Sequence, residues 1–230
     1  EARYEYYFDR DQRFTVAAFF KRIDSPIESF SSFDDNSVIT SFANAPKADL
    51  YGVEIETQKY FDLSAIGDEG FFATRRAVVI ANYTYTKSKI SVKAGDTVAV
   101  FNASSTNALD FFTDGSPLTG QADHLVNLQF GLEDTERLSQ QTILLSYSTD
   151  RVTSRGASGQ PDIKEKPGIQ LDFVAREGFM LGGKEAELKF EVRNLTNTKY
   201  QELQENGENK IFYNRYKQGI SASIGVELNF

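Results

Sequence analysis

The chain has 230 residues, with 33 acidic and 25 basic side chains, a formal charge of −8, no cysteine, no tryptophan and one histidine. The acidic excess gives no field to attract a phosphate backbone, so nucleic acid is not expected as a partner. Without cysteine there are no disulfides, thiolate nucleophiles or cysteine zinc sites, and His124 alone cannot build a metal cluster, so neither metal nor cofactor is expected.

The chain carries 19 Phe and 11 Tyr, with Ser, Thr, Asn, Gln and Gly between short apolar stretches, a strand-rich profile. Mean hydropathy is −0.42, and no run reaches the roughly 18 to 20 apolar residues of a transmembrane helix. That argues for a soluble protein unless the strands form a membrane barrel, where only alternate residues meet lipid and average hydropathy stays low.

In chain order, the period-2 pattern begins with "EARYEYYF", closed by the polar turn "DRDQ", and continues with "RFTVAAFFKRIDSPI". The polar stretch "SFSSFDDNSVITSFANAPKAD" reads as a surface loop with strand extensions. "LYGVEIETQKYF" sets Tyr51, Val53 and Ile55 against Gly52, Glu54, Glu56 and Gln58. "AVVIANYTYTKSKI" sets Val79, Ala81, Tyr83 and Tyr85 against Ile80, Asn82, Thr84 and Thr86. An irregular stretch follows, from about Val92 to Gly120.

"QADHLVNLQFGLE" then alternates Val126, Leu128, Phe130 and Leu132 with Asn127, Gln129, Gly131 and Glu133. After the turn "DTER" come "QQTILLSYSTDRV", the Gly/Ser/Pro-rich loop "TSRGASGQPDIKEKP", the strand "GIQLDFVAR" and a turn in "EGFMLGGK". "EAELKFEVRNL" opposes Ala186, Leu188, Phe190 and Val192 to Glu187, Lys189, Glu191 and Arg193, and a loop through "QELQENGENKIF" leads to the final strand "GISASIGVELNF".

The connections alternate in length. Those near Arg10, Gly67, Thr135 and Gly183 are short and those between are long, so one rim carries turns and the other loops, as in transmembrane up-and-down barrels. A Greek-key sandwich has no reason to sort its loops this way. The polar rows Glu54 and Glu56, Asn127 and Gln129, and Glu187, Lys189, Glu191 and Arg193 suit a hydrated lumen, although a solvated sheet face is also compatible with them. The fold expected is all-β: an antiparallel transmembrane up-and-down barrel contributing about nine strands.

The last eight residues, "SIGVELNF", place Ser223, Gly225, Leu228 and Phe230 in the pattern polar, Gly, hydrophobic, aromatic. This resembles the C-terminal assembly signal of bacterial outer-membrane barrels, which implies recognition by the barrel-assembly machinery through strand pairing, with the terminal aromatic covered by outer-membrane lipid. "ADLYGVEIETQKYF", "PLTGQADHLVNLQFGLED" and "LKFEVRNLTNTKYQE", in that order before an aromatic-ended strand, resemble the closing third of a TonB-dependent outer-membrane receptor.

The resemblance implies a plugged barrel of about 22 strands, an outer-membrane location in a Gram-negative cell, and energised uptake of a scarce small-molecule ligand such as a ferric siderophore, cobalamin or oligosaccharide. Residues 1–230 would then be the C-terminal barrel segment. The plug, the remaining strands and the segment that contacts the TonB complex would lie in N-terminal sequence not included here. Short turns would face the periplasm and long loops the exterior. Rival readings are a passive porin or small outer-membrane barrel, and a soluble carbohydrate-binding β-sandwich.

Candidate ligand contacts in the long loops are Phe111 and Phe112, which present faces for stacking, and Arg151 and Arg155, whose guanidinium groups suit anionic oxygens. Each has a plainer reading, as a local aromatic cluster or as surface arginines. Tyr213, Arg215, Tyr216 and Lys217 are placed at the outer end of the last strand as an aromatic girdle with snorkelling cations. The i, i+2 pair Glu54 and Glu56 lacks the opposing acid of a glycosidase. No Gly-x-Ser-x-Gly or phosphate loop is present, so no enzyme is expected.

Overall fold

The computed structural model describes residues 1–34, 37–67, 69–156 and 160–228. Nine of its strands form one sheet: β1 (Ala2–Asp9), β2 (Gln12–Asp24), β5 (Lys47–Asp62), β6 (Arg75–Ser91), β7 (His124–Asp134), β8 (Ser139–Ser148), β11 (Gly168–Leu181), β12 (Lys184–Arg193) and β15 (Ser221–Leu228). Each is hydrogen-bonded antiparallel to the next, so the sheet is a meander that is not closed on itself. The other six strands lie in the long connections: the hairpin of β3 (Ile27–Asp34) and β4 (Ser37–Asn44), and a sheet of β9 (Arg151–Ser154), β10 (Ile163–Glu165), β13 (Lys199–Asn206) and β14 (Asn209–Lys217). No α-helix occurs among the described residues.

One rim carries the short connections 10–11, 63–74, 135–138 and 182–183; the other carries 25–46, 92–123, 149–167 and 194–220. The two-residue turn Gly182–Gly183 on the short rim has φ +60° and +80°, positive values that suit the twist of a two-residue hairpin and that glycine adopts without strain.

Register sorts the side chains, because residues directly opposite on paired strands share a face. One row of partners runs Val79, Phe130, Ile143, Phe173, Val192 and Ala222. Another runs Val16, Ile55, Tyr83, Val126, Tyr147 and Ile169. The opposite face carries Glu5, Thr15, Glu56, Asn82, Asn127, Ser146 and Gln170 as one row across seven strands. The apolar face is left open: Phe130 is 48% exposed and Ile224 72%. A contiguous apolar surface of that extent fits lipid and not water.

The packed interior sits in the loops. Phe30, Ala43, Ala45, Ala48, Ile90, Val92, Val98, Ala108 and Phe112 form one buried cluster at the long-loop rim, joining the β3–β4 hairpin to the 92–123 connection. Burying these groups is what orders connections whose sequence is mostly polar.

Several sequence expectations are corrected here. The stretch after β2 is a strand hairpin, because Phe30, between Ser29 and Ser31, packs into the loop core. "EGFML" continues β11 to Leu181, pairing with β12, and only the two glycines turn. Arg151–Ser154 leaves β8 for the second sheet. Residues 199–217 are the hairpin β13–β14, so Tyr213, Arg215, Tyr216 and Lys217 lie on β14, outside the nine-stranded sheet, and not at the end of the last strand.

Candidate functional site

The long-loop rim brings chemistry together at two places. The first is a buried ionic staple. Glu28 on β3 accepts two hydrogen bonds from the Arg155 guanidinium, at 2.9 and 2.7 Å, and its oxygens also lie 3.1 and 3.2 Å from the Thr119 backbone N–H that donates to them. Arg155 donates in addition to Asp162 at 2.7 Å and to the Pro117 carbonyl. Three long connections therefore meet on one carboxylate and one guanidinium, both almost fully buried. A pair this desolvated holds only because nearly every donor and acceptor is used.

The second place is a recess of about 270 Å³ where the polar face of β7, β8 and β11 meets the second sheet; Asn127, Ser146, Gln170, Arg151, Lys199 and Tyr200 help line it. The register of the main sheet brings three of these into one row, Asn127 opposite Ser146 opposite Gln170. Arg151 faces Glu165 across β9 and β10 and donates to it at 2.7 Å. Tyr200 is stacked on Tyr216 with ring centroids 4.8 Å apart, and burial first, then the nearby Glu202 carboxylate, pushes its phenol up to about 12. Gln170 donates to Gln218 at 3.3 Å. The recess thus offers amides, a hydroxyl, a cation and an aromatic side chain, the usual means of orienting a small polar ligand.

Of the four candidate loop residues, two are interior. Phe112 is 2% exposed and packs edge-on against Phe30, at 5.4 Å between centroids, and Arg155 is consumed by the staple. Apolar burial and charge pairing leave neither available to a ligand: Phe112 belongs to a local aromatic cluster, whereas Arg155 is a buried structural cation and not a surface arginine. Phe111 is half-buried on the rim of that cluster, and Arg151 alone of the four reaches the recess.

Glu54, Glu56, Asn127, Gln129, Glu187, Lys189, Glu191 and Arg193 all fall on the polar face by register. There Glu191 accepts ion pairs from Lys189 at 3.0 Å and Arg193 at 3.4 Å, and Arg176 from β11 bonds Glu187 at 2.9 Å. Ser223 and Gly225 share this face, while Leu228 points to the apolar side with Val226 and Ile224. β15 pairs with β12 along one edge only. Phe230 lies outside the described residues.

His124 hydrogen-bonds Tyr83 through Nδ1 at 2.8 Å, at the upper margin of the apolar face. Among the described residues no group of three or more His, Cys, Asp or Glu is placed to hold a metal ion. Sequence reasoning missed Glu28, Glu165, Lys199 and Tyr200. A local signal for the last two was Gly207-Glu208, a two-residue turn with glycine first that joins β13 to β14 between the partners Asn206 and Asn209.

A family model described as "TonB dependent receptor-like, beta-barrel" matches residues 1–195. No curated protein and no solved structure matches the chain.

Proposed function

The chain belongs to the TonB dependent receptor-like β-barrel family, a family of outer-membrane receptors and transporters, and from that premise we propose that it forms the C-terminal part of a barrel that takes up a scarce ligand with energy supplied through the TonB complex. The observation that carries this is the nine-stranded antiparallel meander with one apolar face, one polar face and all its long connections on one rim.

In this reading the apolar face meets outer-membrane lipid. Strands supplied by the rest of the protein pair with β1 and β15 and complete a wall of about 22 strands. The polar rows, Glu54 through Gln129 and Glu187 through Arg193, face the lumen, where a plug lies below the long-loop rim. The stapled loops face the exterior and receive the ligand. The β15 edge, with Ser223, Gly225 and Leu228, is the strand offered to the barrel-assembly machinery, since an unpaired edge above one apolar face is what strand addition requires; Phe230, the last residue of the sequence signal, lies outside the described residues.

The test separates a plugged receptor from an open pore. Full-length protein reconstituted into liposomes is expected to give no swelling in isotonic arabinose, because the lumen is occupied. Rapid swelling would make it a passive porin and overturn the energised reading.

A further inference from the structure

We propose that the recess between the main sheet and the β9–β10–β13–β14 sheet binds a hydroxyl-rich carboxylate the size of one sugar unit, a sugar acid. The proposal rests on the receptor reading only in taking the polar face at the long-loop rim to be open to ligand.

Charge is the first argument. Lys199 and Lys217 are directly opposed partners on β13 and β14, and like charges facing each other across a ladder are unfavourable. No carboxylate among the described residues lies within ion-pair distance of either, although Lys166, just after β10, and Lys210, on β14, each pair with Glu205. Lys199 lines the recess, and Lys217 precedes its lining residue Gln218. Arg151, the other cation, is neutralised by Glu165 at 2.7 Å. The recess therefore holds net positive charge, with an ammonium free to take a carboxylate.

Hydrogen-bonding capacity is the second argument. Asn127 and Ser146 are adjacent on the ladder and aim at the recess, yet their side chains make no hydrogen bond among the described residues. An amide beside a hydroxyl offers both donors and acceptors, which vicinal hydroxyls can satisfy together. Gln170 and Gln218 extend the same chemistry, and the Tyr200 ring supplies an apolar surface for the C–H face of a sugar. Volume is the third argument: about 270 Å³ falls just below the usual range for drug-sized ligands, room for one sugar ring.

The test is calorimetric titration of the full-length receptor in detergent with glucuronate, glucose and acetate separately. Glucuronate is expected to bind at least about tenfold more tightly than glucose, the value of one charge-assisted hydrogen bond, with no binding of acetate alone. Lys199→Met should bring glucuronate down to the glucose level while leaving the fold intact, because it also relieves the opposition to Lys217. Asn127→Leu should weaken both sugars.

Equal binding of glucuronate and glucose, absence of binding, or glucuronate binding unaffected by both variants would overturn the proposal. The assay needs no energised membrane, so failure here leaves the transport reading untouched, and liposome swelling leaves the binding result untouched.

Discussion

Arg155 donates to the Glu28 carboxylate at 2.7 Å although 127 residues separate them in the chain. The bond ties the hairpin in the first long connection to the third, while Thr119 and Pro117 bring in the second. A rim built this way is a fixed vestibule around the polar face, and the loop core of Phe30, Ile90 and Phe112 lies next to it. Removing one partner strands the other without compensation. Glu28→Ala is therefore expected to destabilise the loop assembly by roughly 3–5 kcal/mol. The loops should become open to limited proteolysis and lose amide-exchange protection while the nine-stranded sheet keeps its own. Loops as resistant as in the parent protein would show that apolar packing alone holds them.

Gly52 tests the main sheet in the same spirit. A methyl group there would lie 2.2 Å from the Tyr85 carbonyl oxygen and 2.7 Å from the Phe19 ring. Because the nearer obstacle is backbone, the strand pair itself must shift. Gly52→Ala is expected to cost about 1–3 kcal/mol, as overpacking usually does, read as a lower urea midpoint for unfolding in micelles. Gly225, which has nothing within 4 Å of the same built position, should tolerate alanine with no change in midpoint.

The main sheet was legible from period 2 because its two faces meet different surroundings, so strands such as Leu125–Leu132 alternate cleanly. The loop sheets were not. Their hairpins are mostly polar and are held in place by contacts far away in sequence, as Ser31 is by donating its backbone N–H to the Arg155 carbonyl. The same reason hid the staple: Glu28 and Arg155 look like surface charges until folding buries both. Of the recess, Asn127 was legible as part of a polar row. Lys199 and Tyr200 were not, because placing them requires the register of β13 against β14.

Glu205 predicts a pH response confined to the second sheet. Hydrogen bonds from Lys166, then Lys210, hold its carboxyl below the ordinary glutamate range, and the same carboxylate, ahead of Asp150, raises the Lys166 ammonium. A lowered carboxyl pKa adds stability that is present above the unfolded-state value and is lost as pH falls through the folded one. A raised ammonium pKa adds stability that is present below its unfolded value and is lost as pH rises through the folded one. Attachment of β10 to β13 should therefore be strongest between the two ranges and loosen on both sides. Carboxyl NMR titration should show Glu205 changing below the free glutamate value in the parent protein and returning towards it in Lys166→Met. A Glu205 titration identical in both proteins would mean that the 2.9 Å ion pair does not form in solution.

Leu128 and Gln129 are neighbours in β7 that point to opposite faces, Leu128 beside Ala81 and Leu145, Gln129 beside Ile80 and Leu144. Near the strand centre, an arginine on a lipid-facing position costs about 2–4 kcal/mol, and one facing the lumen costs far less. Leu128→Arg is therefore expected to lower the unfolding midpoint in lipid bilayers by the larger amount, with Gln129→Arg close to the parent. The two apolar partners of Gln129 make this pair a strict test, since a hydropathy argument on the immediate neighbours alone would predict a penalty at both positions. Only the wider row, with Asn127 two residues earlier and Glu133 paired with Arg76 beyond it, marks the Gln129 side as polar. Equal costs at the two positions would show that the sheet has lipid on neither face, and a larger cost at Gln129 would reverse the assignment of its faces.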